Sequence, residues 1–584
     1  MLVNQFTAEY VLVRGIIYMF SYTGLICLFY FFLALSIGGV QFIAHPFSIA
    51  IEVLGAIEIL FYLFWFLPYR HYLHSQKPIF PPPLLRNERA ELFDKTLGTV
   101  RDVELFVKGW MGGAGLEDLR REDVKLWLLW ALWDREGIPG NDEEELEGYV
   151  DRVEAALGRE IKGGWGKAKG IRLSFGKFEV SHRSLMFYLI IGFIDFATSM
   201  TLLISGFRFY RQPRRAFFSS FPLRPLTLLA PKQSASPNFS YFHRPHKSPN
   251  HRPLVFIHGV GVGLFPYLLF LSKIPKDVGI LAIEVLPTSS RITRGLPLPL
   301  DIMCEFGDIV TQQNLPNFVM IGNSFGTFFT RQFLDSQYLS SRMHSIIMLD
   351  PVTVLLGMPD TAANFTTRVP VEANEWELWW AAQTEPDIAF NLSRRFCWRE
   401  HVVWKEDLVG KPVTLIMGGK DCIVNPIAIA SYITRDYPTP DGELERERWT
   451  KSIETWTGEG LELVWLEGYD HGQWLMSSKV LPKITKIIES YCTIAHTTSA
   501  AQQSTSSDNT RYNSKPYCSA NRSRRERRRG RSGALLGSSL QVLESAVHAE
   551  MSGYGRRGRW WRGRRRDILN PPSASAQPQY CAPT

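Results

Sequence analysis

Cysteine is scarce in this chain: seven in 584 residues (Cys27, Cys304, Cys397, Cys422, Cys492, Cys518, Cys581), with no CxxC pair among them. That spacing matches neither a zinc site nor the disulfide framework of a small secreted domain. Also missing is basic character in the body of the chain. The formal charge of +8 invites a nucleic-acid partner, but from Thr498 onward 16 Lys+Arg stand against 5 Asp+Glu. This surplus exceeds that of the whole chain, so the remainder is slightly acidic and no specific nucleic-acid partner is expected. Four sequons, at Asn238, Asn364, Asn391 and Asn521, are short patterns that arise by chance in a chain this long.

A third absence concerns charge inside an apolar run. Gly15 to Val40 carries none, is longer than the apolar region of a signal peptide, and is not followed by a small-residue cleavage site. It reads as a membrane-spanning helix. After His45-Pro46, Phe47 to Leu67 is again apolar and aromatic, but contains Glu52 and Glu58. Carboxylates in a span are costly unless neutral, paired or turned inward. The preferred reading is a second span closing a hairpin, with a helix lying in the interface as the alternative. A third run, Leu185 to Phe207, holds Asp195 and is flanked by Lys177 and Arg183 on one side and Arg208, Arg211, Arg214 and Arg215 on the other. Basic residues at both ends favour a helix resting on an anionic leaflet over a simple span or a buried helix. With the first two runs as a hairpin, Arg70, Lys77, Arg86 and Arg89 mark the cytoplasmic side. These runs set the division of the chain: membrane-anchoring helices (1–74), a charged helical subdomain without evident chemistry (75–183), the third apolar helix (184–215), a Pro- and Ser-rich connector (216–249), a catalytic domain (250–493) and an Arg-rich tail expected to be disordered (494–584).

What is present lies in the catalytic domain. Short apolar strands are predicted at 253–258, 279–286, 318–321, 345–349, 413–417 and 461–466, with helices between them, as in a mostly parallel sheet covered by helices on both faces. The strand ending at Ile321 runs into Gly322-Asn323-Ser324-Phe325-Gly326, and a helix follows. A GxSxG turn in this context lifts a serine hydroxyl above the sheet, its glycines avoiding collision with neighbouring backbone, at a helix N-terminus that favours negative charge. Serine needs a base to become a nucleophile. His471, in Gly468-Tyr469-Asp470-His471-Gly472 just past the last strand, falls where the chain order Ser…Asp…His places that base. Two acids can orient it: Asp421, after Gly418-Gly419-Lys420 at the end of a strand, is preferred, and Asp350, in Leu349-Asp350-Pro351-Val352, is the alternative. Asp470, adjacent to His471, should point elsewhere. Backbone donors for an oxyanion are expected from Phe325, directly after the serine, and from the glycine-rich loop after His258, at Val260 with Gly261 next. His258 itself reads as a loop brace.

Together these residues resemble the α/β-hydrolase superfamily. More narrowly, Tyr241-Phe242-His243-Arg244-Pro245, the His258 loop with Phe265-Pro266-Tyr267, Leu349-Asp350-Pro351-Val352, Arg394-Arg395-Phe396-Cys397-Trp398 and Gly418-Gly419-Lys420-Asp421 are similar to a group of membrane-attached eukaryotic α/β hydrolases. The resemblance implies the α/β-hydrolase fold, a Ser324–His471–Asp421 triad, and no metal or organic cofactor. It brings no substrate with it. A serine rather than a carboxylate nucleophile excludes epoxide hydrolase and dehalogenase chemistry and leaves acyl transfer. The insertion at about 351–411 is placed as a lid over the pocket. Its aromatics (Trp376, Trp379, Trp380, Phe390, Trp398, Trp404) read first as a helical cap with its own small core. The sharper alternative is an acyl pocket in which Arg394 and Arg395 meet a phosphate head group. The expectation is a membrane-tethered hydrolase of a carboxylic ester or thioester acting on hydrophobic, membrane-lipid-like substrates. The alternatives are an acyltransferase with the same triad, or a non-catalytic module of the same fold. Oligomeric state is not legible in the sequence.

Overall fold

The computed structural model describes residues 7–434 and 456–494; all but the first residue of the Arg-rich tail lies outside the described residues. Eight strands form one sheet in the order β1-β2-β4-β3-β5-β6-β7-β8. They are β1 Arg208–Tyr210, β2 Ser240–Arg244, β3 Leu254–Ile257, β4 Ile280–Glu284, β5 Phe318–Asn323, β6 Met343–Leu349, β7 Val413–Gly418 and β8 Leu461–Leu466. From β4 through β8 every pairing is parallel, and β2 runs antiparallel to both β1 and β4. The central strands are apolar nearly throughout because both faces are covered. Alternate residues feed two cores: Val255, Ile257, Met320 and Met348 pack on one face, Leu254, Phe256, Val319 and Ile347 on the other.

β1 and β2 correct the sequence reading. The sheet begins at Arg208, and the segment taken as a connector, 216–249, contributes a fully buried strand. Both strands are short and sit among prolines, serines and charges. Their pairing, with Tyr210 stacked on Tyr241 at 4.6 Å, is a tertiary event that no local period announces.

The insertion between β6 and β7 is helical, with its main helices at Ala373–Leu378 and Pro386–Arg394. Against it sits the helical subdomain, built from Arg86–Thr99, Val103–Trp110, Arg121–Trp133 and Glu143–Leu157. The joint is specific. The Trp110 indole donates to the Gly357 carbonyl at 3.1 Å, the Trp398 indole donates to the Ala131 carbonyl at 3.0 Å, and buried Arg399 pairs with Asp134 at 2.7 Å.

Three helices are long and apolar enough to cross a membrane: Thr7–Ile43, Pro46–Ser75 and Leu185–Ile204. The first two pack side by side, with Gly55 so close to Cys27 that an added Cβ would lie 2.6 Å from the cysteine Cβ. Each acid in the second and third runs for which the structure gives a partner faces protein. The Glu58 carboxylate accepts the amides of Leu185 and Met186 at 2.7 and 2.8 Å, capping the third helix. Asp195 pairs with Arg224 and Arg291 at 3.0 and 3.1 Å, and Arg224 continues to Glu284 on β4 at 2.7 Å. The third helix therefore lies along the core of the sheet domain, with Leu189, Phe193 and Phe196 exposed on its other side. Two of its flanking arginines are not turned to a leaflet: Arg183 is buried and donates to the carbonyls of Ser181 and Thr384, and Arg211 is buried and donates to that of Ala230. Their guanidinium donors satisfy buried carbonyls, a use that flanking-charge counting cannot distinguish from head-group contact.

Candidate active site

β5 delivers Ser324 into a left-handed conformation (φ 49°) between the strand and the helix Gly326–Asp335. For a residue with a side chain this is a strained turn, and it holds because its surroundings fix it. The Ser324 amide donates to the Leu349 carbonyl at 2.8 Å, and its carbonyl accepts the Thr327 amide at 2.8 Å and the Thr327 hydroxyl at 2.6 Å. The glycines are required by space: a Cβ on Gly326 would fall 2.2 Å from the Ile257 carbonyl oxygen, and one on Gly322 would fall 2.9 Å from Thr330 Oγ1.

His471 Nε2 lies 2.7 Å from Ser324 Oγ, and His471 Nδ1 lies 2.7 Å from Asp421 Oδ2. Three residues separated by as many as 147 positions thus form one hydrogen-bonded relay at the carboxyl edge of the sheet. The other Asp421 oxygen accepts the amides of Ile423 and Val424 at 2.8 and 3.1 Å, which fixes the carboxylate plane. Asp350 is not the partner of the ring. Fully buried, its Oδ2 accepts the Gly472 amide at 2.7 Å and the Trp474 indole at 2.9 Å, so it braces the turn that carries the histidine. Asp470 points away, as expected, and accepts the amides of Cys422 and His471 and the Asn374 side chain of the lid.

These carboxylates set the electrostatics. Burial opposes an imidazolium at His471, but the charge and hydrogen bond of Asp421, followed by the charges of Asp350 and Asp470, outweigh it and raise the ring to about 9. Asp350 is raised to about 6, chiefly by burial. Ligand atoms of Asp350, Asp421 and His471 lie within 4.8 Å of one another, a spacing that suits a cation. Their lone pairs, however, are already directed at one another and at four backbone amides and an indole.

Of the expected oxyanion donors, the amides of Phe325 and Val260 have no hydrogen-bond partner among the described residues. Gly261 is removed from the set, because its amide donates to the Thr288 carbonyl at 3.0 Å. A loop glycine offers freedom to approach a substrate, but here its amide is taken by the neighbouring loop after β4. Gly259 makes the close approach instead: a Cβ there would meet Ser324 Cβ at 2.9 Å. His258 is a brace, its Nε2 accepting the Val285 amide at 2.9 Å and its Nδ1 then donating to the Gly259 carbonyl at 2.7 Å.

Two features escaped the sequence. The Tyr267 hydroxyl donates to Asn323 Oδ1 and accepts the Gly259 amide at 3.1 Å, while Asn323 Nδ2 donates to the Leu349 carbonyl at 3.1 Å. This ties the loop after β3 to the serine turn, and Asn323, the second residue of the GxSxG pattern, was the available signal. The cavity beside Ser324 is also lined by Trp110, Trp130 and Leu173 of the helical subdomain, to which no chemistry was attached. Of the six lid aromatics singled out, Trp398 alone borders that cavity. Trp376 and Trp380 pack instead on the first apolar helix, against Arg14 and Phe20. Arg394 is no head-group ligand, since its guanidinium donates to the carbonyls of Gln76, Ser174, Gly176 and Ser393.

No protein-family model matches the chain, and no curated protein matches it. Among solved structures it is similar to naproxen esterase from Bacillus subtilis, at 14% identity over 42% of this chain and 86% of that one, with a TM-score of 0.29. It is similar also to a bacterial membrane phospholipase A described as a virulence factor, at 11% identity over 60% and 99%, TM-score 0.33. A third is MGS-M2, an alpha/beta hydrolase from a Medee basin deep-sea metagenome, at 12% identity over 43% and 93%, TM-score 0.31.

Proposed function

We propose that this chain, which has the α/β-hydrolase fold, is a membrane-tethered serine hydrolase that cleaves hydrophobic carboxylic esters or thioesters through an acyl-enzyme on Ser324. One observation carries the reading: the Ser324–His471–Asp421 relay, with 2.7 Å at both joints, stands beside the amides of Val260 and Phe325, which have no partner among the described residues. In this mechanism His471 Nε2 takes the Ser324 proton as Oγ attacks the substrate carbonyl. The two amides stabilise the oxyanion as it forms. The imidazolium, held by Asp421, then gives the proton to the departing alcohol or thiol, and water repeats the sequence to free the acid. The apolar hairpin anchors the enzyme, and Arg70 and Lys77 at its base favour a cytosolic catalytic domain. The resemblance to membrane-attached eukaryotic α/β hydrolases agrees with this address.

A fluorophosphonate probe tests the assignment. Wild type should be labelled and Ser324→Ala should not; equal labelling of the two would remove Ser324 from the role. Protease protection of a C-terminal epitope in sealed membranes would overturn the cytosolic orientation.

A further inference from the structure

The cavity at Ser324 is narrow, and no charged side chain lines it. Its polar side-chain atoms are the hydroxyls of Ser324, Thr361 and Thr366, together with indole nitrogens that are already engaged. A second, smaller apolar cavity lies where the helical subdomain meets the lid, bounded by Phe93, Leu97, Phe106, Leu128 and Val153. Its unpaired polar atom among the described residues is Nε1 of Trp127. The two spaces share three residues, Trp110, Trp130 and Trp398, which border both.

We propose that these three indoles are the length-limiting wall of the acyl pocket, and that the substrate is an ester of an unbranched aliphatic acid whose chain runs from Ser324 toward them. This rests on the serine hydrolase reading and adds the substrate class to it. The wall is held in place at each ring. Trp110 donates to the Gly357 carbonyl at 3.1 Å, Trp130 to Ser174 Oγ at 3.3 Å and Trp398 to the Ala131 carbonyl at 3.0 Å, and the Trp110 and Trp130 rings pack with centroids 5.7 Å apart. An indole anchored by its N–H cannot swing aside without leaving a buried donor unpaired. A chain that reaches the wall therefore meets a fixed surface, behind which the apolar space continues. The three rings come from separate elements, the helices Val103–Trp110 and Arg121–Trp133 and the turn Trp398–Glu400 of the lid. The helical subdomain thus sets specificity, while the sheet edge supplies the chemistry.

The test uses the full chain in detergent micelles with p-nitrophenyl esters of unbranched acids of increasing length. For wild type, kcat/KM should rise about fourfold per added methylene, the factor for burying one CH₂, and then fall at a sharp cutoff. Trp110→Leu and Trp130→Leu should each move the cutoff to longer chains, and adding Val153→Phe, which fills the second space, should move it back. Trp110→Phe keeps an aromatic ring and guards against loss of the fold. Variants that still react with fluorophosphonate at Ser324 yet keep the wild-type cutoff would overturn the wall. A wild type that reacts with the probe but has no length dependence would do the same. A wild type that neither reacts nor hydrolyses any ester would sink the hydrolase reading itself.

Discussion

The floor and the roof of the pocket are built by opposite rules. The floor is a set of short turns at strand ends, Gly322–Gly326, Gly418–Asp421 and Gly468–Gly472, each held by hydrogen bonds to its neighbours. The roof is assembled across long separations: Trp110 meets Gly357 over 247 residues, and Trp398 meets Ala131 over 267. Reacting atoms must be positioned to a fraction of an ångström, which local turns on a rigid sheet can do. A pocket wall needs only volume and shape, which distant packing provides. Floor substitutions should therefore change rate and spare stability, and roof substitutions should change stability and chain-length preference while sparing the rate on a short ester.

The largest effect is expected at Ser324, the proposed nucleophile. Ser324→Ala should lower kcat by about 10⁴- to 10⁶-fold, the range seen when a relay serine is removed, with thermal unfolding unchanged. A Tm loss comparable to that of a roof variant would break the contrast, because Ser324 would then be holding the fold.

The two acids sharpen it within the floor. Asp421→Asn should cost about 10⁴ in kcat, since the ring loses the partner that sets its tautomer. Asp350→Asn should cost about tenfold or less, because Asp350 hydrogen-bonds the Gly472 amide and the Trp474 indole and reaches the ring only through its charge. The pH profile separates their charges. His471 is raised toward about 9 by Asp421 first and Asp350 next, so kcat/KM should climb with pH along a limb on the alkaline side of the ordinary histidine value. Removing the Asp350 charge takes away support for the imidazolium, and the limb should move to lower pH. A limb that stays in place in Asp350→Asn would show that this carboxylate does not act on the ring.

The same division explains what was legible in the sequence. Ser324, His471, Asp421 and the amide of Phe325 could be proposed because strand, turn and chemistry follow one another within a few residues, and the structure brings the first three within hydrogen-bond distance. The strands β3 to β8 announced themselves as apolar runs for the same reason. Gly261 was misread because a glycine-rich loop signals backbone freedom without saying which of its amides a neighbouring loop, here at Thr288, will take. β2 and the pocket role of Trp110 and Trp130 were invisible, since each depends on a partner far away in the chain: β4 for the strand, the lid and Ser174 for the indoles. Arg394 and Arg183 looked like head-group ligands because sequence reports a charge and not the carbonyls it meets.

For the roof, Arg399→Met is the informative change. Arg399 is buried beside Asp134, whose carboxyl is raised to about 6 by burial even with the guanidinium opposing that rise. Taking the cation away leaves a buried acid unpaired, which costs about 3–5 kcal/mol. Thermal unfolding should drop accordingly, while kcat on a short ester stays within about twofold, the joint having no part in stabilising the transition state. A large fall in kcat at a temperature where the variant is folded would mean that the roof positions the relay.

The smallest effect sharpens the contrast at the membrane end. Glu58 sits in an apolar helix, yet its two oxygens accept the amides of Leu185 and Met186 at 2.7 and 2.8 Å, and so it ends the third helix as a capping residue would. Glu58→Gln keeps one acceptor oxygen and loses the charge that complements the helix N-terminus, at a cost of about 1 kcal/mol. Glu58→Leu loses both acceptors and leaves two amides unpaired, and should cost more although leucine suits a membrane better. That order, measured as unfolding temperature in micelles, is opposite to the order of hydrophobicity. If the leucine variant is the more stable of the two, Glu58 faces lipid, and the third helix is joined to the hairpin by apolar packing alone.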